Sequence, residues 1–263
     1  MAGVFDLRQL MTAVLSVLVA VVCTSTASAA GECQRLWLHR ASITDHAANS
    51  SSGALAGWQQ GAGGVEVDIL YDPQQQRFIV AHDWQAAGEH SLLLSDWLSQ
   101  VPQEIPLWLD AKNLGSLWPW QISGASQRLK TVLQQHQRLL TAIVESRHPW
   151  YLRHLQRQGI ATLYRTDLKP YPDGDWRQSW HIDLFQWLAS VAPFSGVSLS
   201  HGRFQAPVIE PLIRYAPVYL STVRQAETAK ALLAQPQVAV VLAKGSVIKQ
   251  LCQPRQATTK NDT

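Results

Sequence analysis

From residue 35 onward the chain repeats one pattern: a short apolar run, then a stretch in which apolar residues fall three or four apart. The runs are "RLWLHR" (35–40), "GGVEVDILYD" (63–72), "RFIVAHD" (77–83), "PLWLDAK" (106–112), "LLTAIVESR" (139–147) and "ATLYRTD" (161–167), followed by "GVSLSHGR" (196–203), "PVYLSTV" (217–223) and "VAVVLAK" (238–244). Runs of this length, rich in branched and aromatic residues, predict strands. The intervening "GASQRLKTVLQQHQ", "PWYLRHLQRQG" and "AETAKALLAQP" carry helical spacing. Strands alternating with helices indicate parallel βαβ units, and about eight such units predict an α/β fold of the (β/α)8 barrel type. The surplus run is accounted for if 63–72 and 77–83 form a hairpin with "PQQQ" as its turn. A doubly wound open sheet is the competing architecture. No internal repeat or long linker divides the chain, so one domain is expected over 31–252.

The ends follow different patterns. "MTAVLSVLVAVVC" (11–23) is an uncharged apolar stretch preceded by Arg8, and "TSTASAA" after it offers an A-x-A cleavage site at Ala27, Ser28 and Ala29. This predicts a signal peptide over 1–30 and an exported protein, periplasmic or secreted. An uncleaved anchor is the alternative. Cleavage removes Cys23 and leaves Cys33 and Cys252, an even pair that in an oxidising compartment predicts a disulfide between the two ends of the domain. The tail 253–263 is polar and is expected to fray.

Composition narrows the partners. The 263 residues carry a formal net charge of +3 with no dense Lys/Arg run, so no nucleic-acid footprint is indicated. The eleven tryptophans are expected mainly to pack between barrel and helices, though an aromatic surface for lipid would use the same residues.

The candidate chemistry lies at strand ends. In a barrel of this kind catalytic residues gather at the C-terminal ends of the strands. Here "LWLHRA" ends in His39 and Arg40, "VEVDILYD" carries Glu66 and Asp68, "FIVAHD" ends in His82 and Asp83, and "LWLDAK" ends in Asp110 and Lys112. Glu66 and Asp68 are two apart on a strand and so share a face, which is costly for two carboxylates unless a cation meets them. Glu66, Asp68 and Asp110 are hard oxygen ligands suited to one divalent cation, Mg2+ or Ca2+. Two histidines provide a general acid and a general base, and Arg40 and Lys112 suit a phosphate. The set fits displacement at a phosphodiester.

At these residues the chain resembles the glycerophosphodiester phosphodiesterase family, TIM barrels of the phospholipase C-like phosphodiesterase superfamily. His39-Arg40-Ala41 stands where the family has His-Arg-Gly, Glu66-Val67-Asp68 where it has Glu-x-Asp, His82-Asp83 where it has His-Asp, and Asp110-Ala111-Lys112 where it has Glu-x-Lys. Intervals of 27 residues from His39 to Glu66 and 43 from His39 to His82 agree with the family. The resemblance implies His39 and His82 as the acid–base pair, Glu66, Asp68 and Asp110 as metal ligands, and Arg40 and Lys112 on phosphate. The departures fall on the substrate side. The family's Glu-Asn-Thr survives only as Asn49, its insertion after His-Asp is cut to a short segment, Trp-Thr-Val-Asn is reduced to "STVR" (221–224), and the final Thr-Asp is Ala243-Lys244. Glycerol phosphodiesters are thus a family default.

Asn49, Glu145 and His201 are candidate rim residues, with Arg147 beside Glu145. Asp83 is expected to orient His82 or to cap the next turn, and His46, His90, His136 and His148 to lie on the surface. The expected substrate is a small-molecule or lipid-headgroup phosphodiester, and a membrane surface is a further candidate partner. Two alternatives stay open: a cyclising lyase resembling sphingomyelinase D-type phospholipases, and a catalytically degenerate ligand-binding barrel.

Overall fold

The computed structural model describes residues 31–88, 92–166, 175–191, 194–204 and 216–255. The leader expected over 1–30, His90 and the end of the tail (256–263) lie outside the described residues. Nine strands form where the pattern predicts them: β1 (Leu36–Leu38), β2 (Val65–Asp72), β3 (Arg77–Val80), β4 (Leu107–Ala111), β5 (Ala142–Ser146), β6 (Ala161–Arg165), β7 (Gly196–Ser200), β8 (Val218–Val223) and β9 (Val238–Ala243). The helices are α1 (Ser51–Gln59), α2 (Trp84–Ala87), α3 (Leu94–Ser99), α4 (Pro119–Gln135), α5 (Pro149–Arg157), α6 (Trp176–Val191), α7 (Ala226–Leu233) and α8 (Gly245–Leu251).

Eight parallel strands close into a barrel. Their order is β1-β9-β8-β7-β6-β5-β4-β2, and β1 pairs with β2 through Leu38 and Val65 to complete the ring. That closure excludes the open sheet. The ninth strand is the expected hairpin: β3 runs antiparallel to β2, from Asp72 opposite Arg77 to Ile69 opposite Val80. Because β2 is the longest strand, its second half rises past the barrel as one arm of this hairpin, and β3 brings the chain back to the mouth at His82.

Alternation along the strands sorts the side chains into two layers. Val65, Val67 and Ile69 of β2, Leu107 and Leu109 of β4 and Val144 of β5 join the continuous core under the helices. The other face forms a second, smaller cluster of Trp108, Ile143, Leu163, Val240 and Leu242. Trp108 and Tyr219, from β4 and the facing β8, meet edge to face across the interior with centroids 5.5 Å apart. This apolar plug fills the lower barrel. One step further along the same faces, the inward residues become acidic: Trp108 is followed by Asp110, and Ile143 by Glu145. The carboxylates therefore stand on an apolar floor.

Opposite the mouth, Arg138 is completely buried and donates to the carbonyls of Val101 (2.7 Å), Gln103 (2.6 Å), Ile105 (2.8 Å) and Pro102. It pins the α3–β4 connection and takes no part in the site. The ends of the domain meet as expected, with Cys33 and Cys252 joined by a disulfide at a Cα separation of 5.8 Å. The tail departs from expectation in its first residues. The Arg255 backbone N–H donates to Gln59 (2.7 Å), and its guanidinium stacks 3.4 Å over the Trp58 ring. Cation–π contact and paired backbone groups hold this stretch down.

Candidate active site

The site begins with a reversal of the backbone after β1. His39–Ala41 form a 3-10 turn in which Arg40 (φ 54°, ψ 32°) and Ala41 (φ 43°) adopt the left-handed region that favours glycine. The turn directs the Arg40 backbone N–H to Glu66 Oε2 (2.6 Å) and its side-chain Nε to Asp68 Oδ2 (2.6 Å). One residue thus engages both acids of β2.

Asn49 completes this grip. Also left-handed at φ 62°, it donates Nδ2 to Asp68 Oδ2 (3.0 Å) and accepts the Asp68 backbone N–H at Oδ1 (3.0 Å). Its own carbonyl accepts the indole N–H of buried Trp97 at 2.9 Å. Asn49, which is partly exposed, therefore positions Asp68, and its short amide suits the left-handed backbone that this requires.

Asp68 is the hub. Lys112 Nζ lies 2.8 Å from its Oδ1, and His82 Nδ1 lies 3.2 Å from its Oδ2. Lys112 also bonds Asp110 Oδ2. Burial alone would raise the Asp68 pKa, but Lys112, Asn49 and Arg40 outweigh it and hold the carboxyl well below its usual range. Being ionised, Asp68 can only accept, so His82 donates from Nδ1, and a neutral ring so held turns the lone pair of Nε2 outward. The His82 side chain is 48% exposed, which leaves that nitrogen within reach of a bound molecule.

Glu66 is placed differently. It is buried, and burial together with Asp68 and Asp110 raises its pKa well above the usual carboxylate value, against the pull of the Arg40 N–H and Lys112. Ligand oxygens of Glu66, Asp68 and Asp110 all lie within 4.8 Å of one another. Three converging hard oxygens, one with an unmet demand for positive charge, fit a divalent cation of the Mg2+ or Ca2+ type. Such an ion would compete with Lys112 for the two aspartates.

His39 has the opposite polarity to His82. Its Nδ1 is 3.2 Å from Lys244 Nζ, an ammonium that can only donate, so the imidazole carries its own proton on Nε2. Burial, then Lys244 and Arg40, push its pKa down to about 3. Lys244 follows the last strand, β9. Sequence reading singled it out only as a departure from the family pattern, although it occupies the same strand-end position as the other candidates.

Beside these groups opens a cleft of about 420 Å3, lined by His82, Asp110, Lys112, Glu145, Arg147, His148 and Arg165. Glu145 is not on the rim. It is 1% exposed, on the floor of the cleft, and accepts from Arg165 Nη1 at 2.9 Å. Burial first, then Asp110, push its pKa up to about 7 against the pull of Arg165. His201 opens the turn after β7, with its Nδ1 buried and without a partner among the described residues. Asp83 caps α2 by accepting the Ala86 N–H at 2.8 Å, one of its two expected roles. His148 is exposed, as expected, and also lies over Gly115, where a Cβ would fall 1.7 Å from its Nε2. Arg165 and His148 were missed because neither sits in a recurring pattern; the strand-end position of Arg165 was the available signal.

No family model matches the sequence, and no curated protein matches it either. Solved structures do. A glycerophosphodiester phosphodiesterase from Parabacteroides distasonis superposes with a TM-score of 0.64 at 14% identity, covering 82% of this chain and 95% of its own. One from Thermotoga maritima gives 0.61 at 12%, covering 82% and 96%. A phosphodiesterase from Oleispira antarctica, solved in complex with the product sn-glycerol-3-phosphate, gives 0.61 at 17%, covering 84% and 97%. At these identities the likeness is one of fold: the chain is a (β/α)8 barrel built like those of the glycerophosphodiester phosphodiesterases.

Proposed function

We propose that the chain is an exported, metal-dependent phosphoric diester hydrolase acting on a glycerophosphodiester-like or lipid-derived phosphodiester. The observation that carries this reading is the pair of oppositely polarised imidazoles around three converging carboxylates. His82, with Nδ1–H on Asp68 and a free lone pair on Nε2, is arranged to take a proton from the nucleophile. His39, with Nδ1 facing Lys244 and its proton on Nε2, is arranged to give one to the departing alkoxide, while Lys244 can replace it at Nδ1. The new oxygen–phosphorus bond forms as the bond to the alkoxide breaks. Arg40 and Lys112, each about one-quarter exposed, keep donors available to the non-bridging oxygens. A divalent ion held by Glu66, Asp68 and Asp110 would add Lewis-acid stabilisation of the charge that grows there. The likeness in fold to phosphodiesterases, one of them with a glycerol phosphate product, supports the choice of substrate class.

The test is turnover of a phosphodiester panel with Mg2+, Ca2+ or chelator, followed by phosphorus NMR. Metal-stimulated release of a monoester is expected, and a cyclic phosphate would instead assign the cyclising reaction. His39→Ala and His82→Ala should each lower kcat by about 10²–10⁴-fold on an alkyl diester. On a nitrophenyl diester, whose leaving group needs little protonation, only His39→Ala should recover. Wild-type turnover in either variant on the alkyl diester would refute the pair.

A further inference from the structure

Seven of the eleven tryptophans are exposed, against the expectation that most would pack inside. Their positions are not scattered. Trp84 follows His82, Trp118 and Trp120 open α4 after β4, and Trp150 opens α5 after β5. Trp176 and Trp180 lie in the first turns of α6, which follows β6. Trp187, further along α6, meets Trp150 edge to face at 5.6 Å and so belongs to the same end of the barrel. Every exposed tryptophan therefore lies on the side of the molecule where the strands deliver the catalytic candidates, and none lies at the opposite end.

Two pairs among them spend their apolar faces on each other without becoming buried. Trp118 and Trp120 stack with centroids 5.0 Å apart yet stay 60% and 70% exposed. Indole has a large apolar face and one N–H that needs a polar partner, which suits the boundary between lipid chains and headgroups better than a dry protein interface. Charge agrees with this. Among the described residues basic side chains follow four of the parallel strands: Arg147 after β5, Arg203 after β7 and Arg224 after β8, with Lys244 after β9 turned to His39. Of the acids at that level, Glu66, Asp68 and Glu145 are buried, and Asp110, with 14% of its side chain exposed, is paired with Lys112. Asp83 is committed to capping α2 and the partly buried Asp175 to Arg177 at 2.6 Å, while Asp45 before α1 and Asp183 on α6 are exposed.

We propose that this tryptophan-ringed, basic mouth docks onto an anionic phospholipid bilayer and opens the phosphodiester site toward its headgroups. The choice of a phospholipid surface rests on the proposed function; the surface itself does not. The indoles enter the headgroup region, the strand-end arginines meet lipid phosphates, and the site faces the membrane.

The test measures binding and turnover separately, on the full chain. Wild type and a Trp118→Ala/Trp120→Ala/Trp150→Ala/Trp187→Ala variant are sedimented with vesicles of phosphatidylcholine alone or with one-third phosphatidylglycerol. Residues 1–30 are the same in both proteins, so a difference between them reports the rim. Wild type should favour the anionic vesicles, and the variant should bind them at least tenfold more weakly, since burying even one indole is worth about a factor of ten. Turnover of soluble bis(4-nitrophenyl) phosphate should stay within about twofold, as none of the four touches the acid cluster. Brominated lipids should quench wild-type tryptophan fluorescence, which needs no variant to fold. Equal vesicle binding by the two proteins, no quenching, or a concentration-dependent dimer that buries the rim in place of lipid would each overturn the proposal. Soluble turnover without vesicle binding removes the docking surface and leaves the phosphodiesterase reading; vesicle binding without turnover does the reverse.

Discussion

Glu145→Gln should change how the stability of the barrel depends on pH. The Glu145 carboxyl is 1% exposed, and burial with the nearby Asp110 raises its pKa from 4.5 to about 7 although Arg165 pulls the other way. A folded pKa above the unfolded one means that the folded chain holds the proton more tightly. The resulting stabilisation is complete below pH 4.5 and is lost as pH rises through 7. At about 1.4 kcal/mol per pH unit, that window is worth about 3 kcal/mol. Glutamine keeps the shape and one acceptor for Arg165 but cannot titrate. Any cost of weakening the Arg165 contact moves its stability by the same amount at every pH. The gap between the two proteins should therefore move by about 3 kcal/mol in favour of the variant between pH 4 and pH 8. Urea unfolding at closely spaced pH values, with chelator present and the disulfide intact, measures it, and subtracting the curves removes other titrating groups common to both. A gap that stays flat to within about 0.5 kcal/mol, or that moves in favour of wild type, would refute the assignment.

Four further outcomes follow from the same electrostatics and connectivity. Because Glu66 holds its proton unusually tightly, Mg2+ or Ca2+ must displace it, so affinity should rise with pH and calorimetry in two buffers should report proton release. Glu66→Gln and Asp68→Asn should each weaken binding at least about tenfold, and unchanged affinity in both would remove the acids as ligands. Lys244→Met should raise the His39 pKa from about 3 toward its ordinary value, because the neighbouring ammonium is the largest charge opposing protonation. The wild-type contribution of His39 is full above pH 6.5 and lost as pH falls through about 3, so the variant should be less acid-sensitive; an unmoved His39 resonance in an NMR titration would contradict this. Reducing the Cys33–Cys252 bond, which spans 219 positions, should cost up to about 5 kcal/mol, read as a lower urea midpoint with reductant.

The strands were legible because each apolar run ends in a turn or a helix start, and all nine form, eight in the ring and β3 in the hairpin. Two-residue alternation alone placed Glu66 and Asp68 on one face, and their joint contacts with Arg40 follow from it. Depth was not legible. Asn49 and Glu145 were read as rim residues, Glu145 because it ends its strand facing the presumed mouth. The apolar plug of Trp108 and Ile143 lies just below Glu145, so the layer above it is still interior, whereas Asn49, in the loop before α1, is fixed by its bonds to Asp68. The tryptophans were misread for the converse reason. Large apolar residues default to the core, and only their common position after strand ends, invisible without the closed barrel, separates a rim from a packing layer. Lys244 needed the ring as well, since β9 and β1 are neighbours only once the sheet closes.

The bond between Cys33 and Cys252 has a topological meaning beyond holding two ends together. With β1 seated between β9 and β2, backbone and disulfide trace a closed circuit in which no strand is first or last. The chain could then be opened elsewhere without changing any neighbour relation. The connection between α4 and β5, residues 136–141, lies at the end of the barrel away from the mouth, and Leu140 there is 96% exposed. A permuted gene that opens that connection after Leu140, leaving buried Arg138 attached to α4, and joins residue 33 to residue 252 by a short linker should rebuild the same ring with its mouth intact. The native order of the nine strands is in that sense a choice of where to cut a circle.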